Sequence, residues 1–132
     1  MKLTLDVENT VTERDGKLHF DPFEPENSLT MVGVLTDQDV EQHFPFDHSD
    51  VPNQKHYYER VQWFLDEATI LICHNAAHDL LWLWESGFKY DGPVFDTMLA
   101  EYVLQRGIKK PLSLEACAER YELDTKKQDT LK

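Results

Sequence analysis

The sequence predicts an α/β domain with a mixed sheet. Three observations carry that prediction: period-two alternation over KLTLDVE at the start, further short β-rich runs joined by connections too short for a crossover helix, and then helical periodicities alternating with strand signals. A chain of 132 residues is one domain, 1–132, with room for one sheet and a few covering helices.

In KLTLDVE, Leu3, Leu5 and Val7 share one face and Thr4, Asp6 and Glu8 the other. RDG at 14–16 is a turn signal, KLHF begins a second strand, and SLTMVGVLT after the DPFEPEN loop is a third. The short connections predict a three-strand antiparallel meander. Residues 37–53 carry two prolines and mixed charge and read as a loop. Its His43 and His48, five apart without a scaffold, make a weak metal pair. From 54 to 67, Tyr57, Tyr58, Val61, Phe64 and Leu65 recur at helical spacing. ATILIC is a continuous β-rich run, as in a parallel strand buried on both faces. AAHDLLWLWES is a helix that Gly87 stops. A short strand at PVFD leads into the helix TMLAEYVLQR; GIKKP breaks it, and Ser113 caps the last helix, LEACAERYEL.

A hydrophobic fraction of 41% supports a packed core. The formal net charge of −12 argues against a protein that coats nucleic acid by unspecific phosphate contact. It leaves room for an enzyme that handles a few nucleotides through metal ions, since bound cations invert the local electrostatics. Cys73 and Cys117 form neither a disulfide framework nor a CxxC pair, and Cys73 reads as a small core residue. The N-terminus is charged by residue 6 and supplies no signal peptide, and no apolar run approaches a membrane span. The chain therefore reads as cytoplasmic, with no membrane partner.

The chemistry centres on acids. Asp6 and Glu8 stand at the C-terminal end of their strand, and Asp79 occupies the first turns of the helix after ATILIC. A D-x-E pair alone is most simply a solvated strand face. If the two strands are neighbours, however, three carboxylates converge at the sheet edge where α/β folds hold ligands. Oxygen ligands of this kind suit Mg²⁺ or Mn²⁺ rather than zinc. Phosphoryl transfer by two ions about 3.5–4 Å apart needs such a cage. His74 and His78 are spaced like zinc ligands, but H-N-A-A-H lacks the glutamate base of H-E-x-x-H, and His74 ends a strand. His78 stands beside the acids, where it touches substrate or packs against them.

LDVEN, CHNAAHDLLWL, VFDTMLAEYVL and LSLEACAERY, in this order, resemble the 3′→5′ (proofreading) exonuclease domain of family A DNA polymerases, of the bacterial polymerase I and phage type. Such domains are ribonuclease H-like and belong to the DEDD exonucleases. The resemblance covers residues 1 to about 131. It implies that Asp6, Glu8 and Asp79 are catalytic metal ligands for Mg²⁺ or Mn²⁺, two ions in a complete domain. It further implies that Asn9, Asn75 and His78 bind substrate and that Asp96 supports the fold or the site from behind. The implied reaction releases a nucleoside monophosphate from a single-stranded DNA 3′ end, with a polymerase domain in the same full-length chain as partner.

The sequence departs from the family at the third motif, Y-x-x-x-D or H-x-x-x-D. Tyr121 has Thr125 four residues on, and neither Asp124 nor Asp129 has an aromatic residue or histidine four before it. The expectation is a domain truncated before its last helix, weakly active or inactive. Two alternatives stay open: an inert nucleic-acid-binding or structural domain of the same fold, and an RNA-directed exonuclease of the ribonuclease D type. Phe44, Phe46 and Lys109 are weak candidates for gripping a strand, since aromatic residues at such places more often pack.

Overall fold

The apolar stripe Leu3, Leu5, Val7 places strand β1 (Lys2–Asn9) at the centre of a five-stranded sheet. The computed structural model describes residues 1–46 and 51–124. In chain order its elements are β1, β2 (Thr12–Arg14), β3 (Lys17–His19), β4 (Leu29–Thr36), β5 (Glu41–Pro45), α1 (Val51–Glu67), β6 (Ile70–Cys73), α2 (Ala76–Glu85), β7 (Val94–Asp96), α3 (Thr97–Gln105) and α4 (Leu114–Arg120). The sheet order is β5-β4-β1-β6-β7, with β5, β4 and β1 antiparallel and β6 and β7 parallel to β1. This is the mixed, ribonuclease H-like α/β arrangement that the sequence predicts.

The meander's membership differs from expectation. KLHF does not enter the sheet: β3 pairs only with β2, across a turn in which Asp15 and Gly16 both take positive φ. Its Leu18 stays exposed, whereas Leu29, Val32 and Val34 of β4 bury against the β1 stripe, so β4 pairs with β1 directly. The third meander strand is β5, inside the segment that reads as a loop. Phe44 turns inward there and fixes its register against Val32. His48, Thr125 and Asp129 lie outside the described residues.

Helices α1 and α2 cover the Leu3–Leu5–Val7 face, and Val61, Phe64, Leu65, Trp82 and Leu83 pack with Leu71, Cys73, Phe44 and Phe46. Phe44 and Phe46 are therefore core residues. Gly87, at φ +95°, follows α2 in a conformation that L side chains rarely adopt, and Gly87 and Phe88 N–H groups close the helix end on Trp84 and Leu83 carbonyls. The indole of Trp82 donates to the Phe20 carbonyl at 2.9 Å, tying the 12–27 excursion to α2. Helix α3 contacts β6, and polar contacts tie α4 and its C-cap to α3. The buried Glu101 carboxylate accepts from Arg120 at 2.6 Å and from the Tyr121 hydroxyl at 2.7 Å. Among the described residues no helix is long and apolar enough to cross a membrane.

Leu71 is fully buried on the inner strand β6. Leu71→Ala is expected to cost about 2–5 kcal/mol through lost burial and the cavity left behind. A urea titration checks this as a lowered midpoint at unchanged slope.

Candidate functional site

The C-terminal ends of β1, β6 and β7 lie along one sheet edge, because all three strands run parallel there. β1 delivers Asp6 and Glu8 on its exposed face and Asn9 at its end, where the pairing with β4 shifts register between Glu8 and Asn9. β6 delivers His74 and Asn75, and β7 ends on Asp96.

Asp96 organises this edge. Its carboxylate accepts from the backbone N–H groups of Asn75 and Ala76, both at 3.0 Å, and from Met98 at 2.9 Å and Leu99 at 3.3 Å. One side chain thus satisfies N-terminal donors of both α2 and α3. Burial alone raises the Asp96 pKa, but the donors of Ala76, Asn75, Leu99 and Met98 outweigh it and hold the carboxyl below its usual range. Asn75, the α2 N-cap, has no capping bond of its own and adopts the left-handed conformation at φ 72°, which asparagine tolerates better than most residues. Its side chain is exposed.

Asp79, one turn into α2, is 2% exposed, and its Oδ2 has no hydrogen-bond partner. Burial pushes its pKa up to about 7, and the neighbouring Asp6 charge adds to the rise, against the Val7 N–H and the Cys73 thiol, which favour the ionised form. Asp6 and Asp79 are thereby brought into electrostatic contact from two elements. Glu8 shares the Asp6 face of β1 two residues on, but it is not among the charges acting most strongly on Asp79. Among the described residues no three His, Cys, Asp or Glu side chains gather closely enough to hold a metal ion. A buried acid with an orphaned oxygen beside a second acid nevertheless fits a hard divalent cation, whose charge would relieve both.

The histidines do not form a pair. His74 meets the Thr97 hydroxyl at 2.9 Å and the Leu112 carbonyl at 2.6 Å, fastening the segment before α4 to the end of β6. His78 Nε2 meets Asn9 Oδ1 at 3.0 Å, and Asn9 Nδ2 donates to the Thr10 and Phe20 carbonyls. Sequence reasoning missed this Asn9–His78 link, which joins residues 69 positions apart and has no local signal. It also missed the Glu101–Arg120–Tyr121 cluster, although Glu101 stands alone among apolar residues in TMLAEYVL.

A carboxyl with its folded-state pKa raised binds its proton more tightly in the folded state. Its stabilising contribution is full below the ordinary 3.8 and is lost as pH climbs through about 7. Without divalent cations the protein should lose on the order of 3–4 kcal/mol across that window from Asp79 alone. Asp79→Asn should therefore melt higher than wild type at pH 8 in chelator, with the difference vanishing near pH 4 in paired thermal scans. Asp96→Ala, which leaves backbone donors at two helix starts without their acceptor, should cost about 2 kcal/mol or more by denaturant titration at neutral pH.

No curated protein sequence matches the chain. A solved structure described as the apo form of the nuclease superposes with a TM-score of 0.64 at 19% identity, over 95% of this chain and 54% of that one. This likeness shows the fold, and the chain spans about half the length of that nuclease. The sequence model of the 3′-5′ exonuclease family of A-type DNA polymerases matches residues 24–131. The matched range holds Asn75, His78, Asp79 and Asp96 and begins after the β1 acids. On that match over most of its length, the chain belongs to the 3′-5′ exonuclease domain family.

Proposed function

We propose that this chain is a metal-dependent, proofreading 3′→5′ exonuclease domain that hydrolyses the last phosphodiester at a single-stranded DNA 3′ end and releases a nucleoside monophosphate. The observation that carries this reading is Asp79: a buried acid with a partnerless oxygen, its pKa raised beside Asp6, at the open edge of a nuclease fold. Keeping an unsatisfied carboxylate buried costs stability, and a site that takes up cations recovers it.

In this reading Asp6, Glu8 and Asp79 hold Mg²⁺ or Mn²⁺. Bound cations supply charge stabilisation at the phosphate and lower the pKa of the attacking water. Asn75, exposed at the start of α2, contacts the substrate strand. Asn9 and His78, locked together, form the rim against which the terminal nucleotide rests. Asp96 acts through others: it fixes the backbone at Asn75 and Ala76, and with it the direction in which α2 presents Asp79. The acidic balance of the chain suits a partner polymerase domain that supplies most of the DNA affinity.

A second reading, an inert nucleic-acid-binding or structural domain of the same fold, is favoured by one observation. Among the described residues the three acids are not drawn into a single cage.

Calorimetry with Mn²⁺ separates the two. Wild type should bind weakly with measurable heat, and Asp6→Ala should lose most of it; equal heats for both would leave the inert reading. In single-turnover assays with Mn²⁺, wild type should shorten a 5′-labelled oligodeoxynucleotide slowly from its 3′ end. Asp6→Ala should not, and an oligoribonucleotide run in parallel decides the sugar preference.

A further inference from the structure

Helix α3 and the segment that returns from it through α4 enclose three adjoining hollows. The first, of about 300 Å³, opens at the sheet edge on His74 and Thr97 and runs to Glu101 and Tyr121. The second, of about 200 Å³, starts from the same Glu101 and Tyr121 and reaches Gln105, Ile108 and Lys110. The third, of about 170 Å³, shares those last three residues and ends on Tyr102 and Lys109. Their shared walls make them one groove along α3, whose run from Thr97 to Gln105 is roughly 12 Å. The mouth of the groove lies at the acid edge. Thr4 pairs with Ile72 in parallel register, and Asp6 and His74 each stand two residues further on.

The groove differs in charge from the rest of the chain. The sequence holds 25 Asp and Glu, yet residues 102–114 contain none, and Arg106, Lys109 and Lys110 fall within five residues there. Among the described residues that line the groove, Glu101 is the one acid, and its carboxylate already accepts from Arg120 and the Tyr121 hydroxyl. Lys110 adds a weaker electrostatic pull on the same Glu101. The ammonium groups of Lys109 and Lys110 have no ion pair among the described residues. Gln105 fixes the turn that presents them: its side chain donates to the Lys110 carbonyl and accepts from the Lys110 N–H, both at 3.2 Å. Beside these cations two tyrosines stay open, Tyr102 at 62% and Tyr121 at 52% exposure. Cations in line with aromatic rings suit a single strand, whose phosphates take the charge and whose bases offer faces to stack. An apolar protein segment could fill the same hollows, but it would have no need of the lysines, so the charge favours the strand.

We propose that the groove along α3 holds single-stranded DNA on the 5′ side of the terminal nucleotide, with Lys109 and Lys110 on its phosphates and Tyr102 and Tyr121 against its bases. The polarity of the strand rests on the exonuclease reading above, which puts the 3′ end at the acids. In a chain of net charge −12 the groove gives the strand a local path past the surrounding acids. Stacking on a tyrosine reads no base identity, so the groove serves any sequence.

The test measures binding of a 5′-labelled oligothymidylate of about eight nucleotides to the whole chain, by fluorescence anisotropy over a series of salt concentrations. Each phosphate contact to a single strand contributes about 0.7 to the slope of log affinity against log salt, so Lys109→Gln/Lys110→Gln should flatten that slope by about 1.4. The same change of charge at Lys55→Gln/Lys89→Gln, on α1 and just after α2, should leave the slope as it is. Tyr102→Leu should weaken binding about fivefold or more at unchanged slope, and Tyr102→Trp should keep it. An unchanged slope in the Lys109 and Lys110 variant, or equal flattening in the Lys55 and Lys89 control, overturns the groove, as does a wild type that fails to bind. Cleavage of the same oligonucleotide in Mn²⁺ is scored separately. A wild type that binds with the expected slope but never cleaves overturns the exonuclease reading, while the groove stands as a strand site. A wild type that cleaves, with the slope unmoved by the lysine substitutions, overturns the groove alone.

Discussion

The Asp96 carboxylate is the interaction on which the rest of the sheet edge depends. Helices α2 and α3 begin from adjacent parallel strands, and each start leaves backbone donors without intrahelical partners. A single acid placed between them accepts from both sets, and the positive ends of two helix dipoles favour its charge. Because the bonds go to backbone, the contact fixes where each helix starts rather than how its side chains pack. Asn75 can then hold a left-handed conformation without a cap of its own, and α2 leaves the sheet at the angle that carries Asp79 back to the end of β1.

Asp79 and Asp96 are the same residue type at the same edge, with opposite electrostatics. Donors surround Asp96, and its carboxyl is held below its ordinary range. Asp79 has apolar surroundings, one oxygen without a partner and the Asp6 charge nearby, and its carboxyl is held far above that range. An acid at rest in its structure and an acid in want of a counter-charge are thus separated by environment alone. The two family motifs at the C-terminal end show a similar division of labour. Glu101 of FDTMLAEYVL receives Arg120 and Tyr121 of LEACAERY, so one part-buried contact joins the two segments.

Much of this was legible in the sequence where a single period persisted. β1, β6 and the α2 helix follow from the Leu3–Leu5–Val7 alternation, the ATILIC run and the Gly87 stop, and Ser113 does cap α4, accepting from Ala116 at 3.1 Å. β5 escaped notice because EQHFP has one buried residue, Phe44, and ends on a proline; its strand character comes from the neighbour it joins. KLHF misled for the converse reason: it alternates, but nothing covers Leu18. At the site, the acids could be read from their positions at strand ends. The Asn9–His78 link could not, since it joins a strand end to a helix 69 positions away.

The placement of β5 has a bearing on self-association. As the last strand on its side, it offers a free backbone rim onto which another extended chain could dock. Pro45 removes one of the amide donors, and Glu41 and His43 put ionisable groups beside the rim, which blunts strand addition. The opposite border, β7, is only three residues long and is preceded by Pro93. Polar side chains at one margin and brevity at the other discourage the sheet from growing into a fibril.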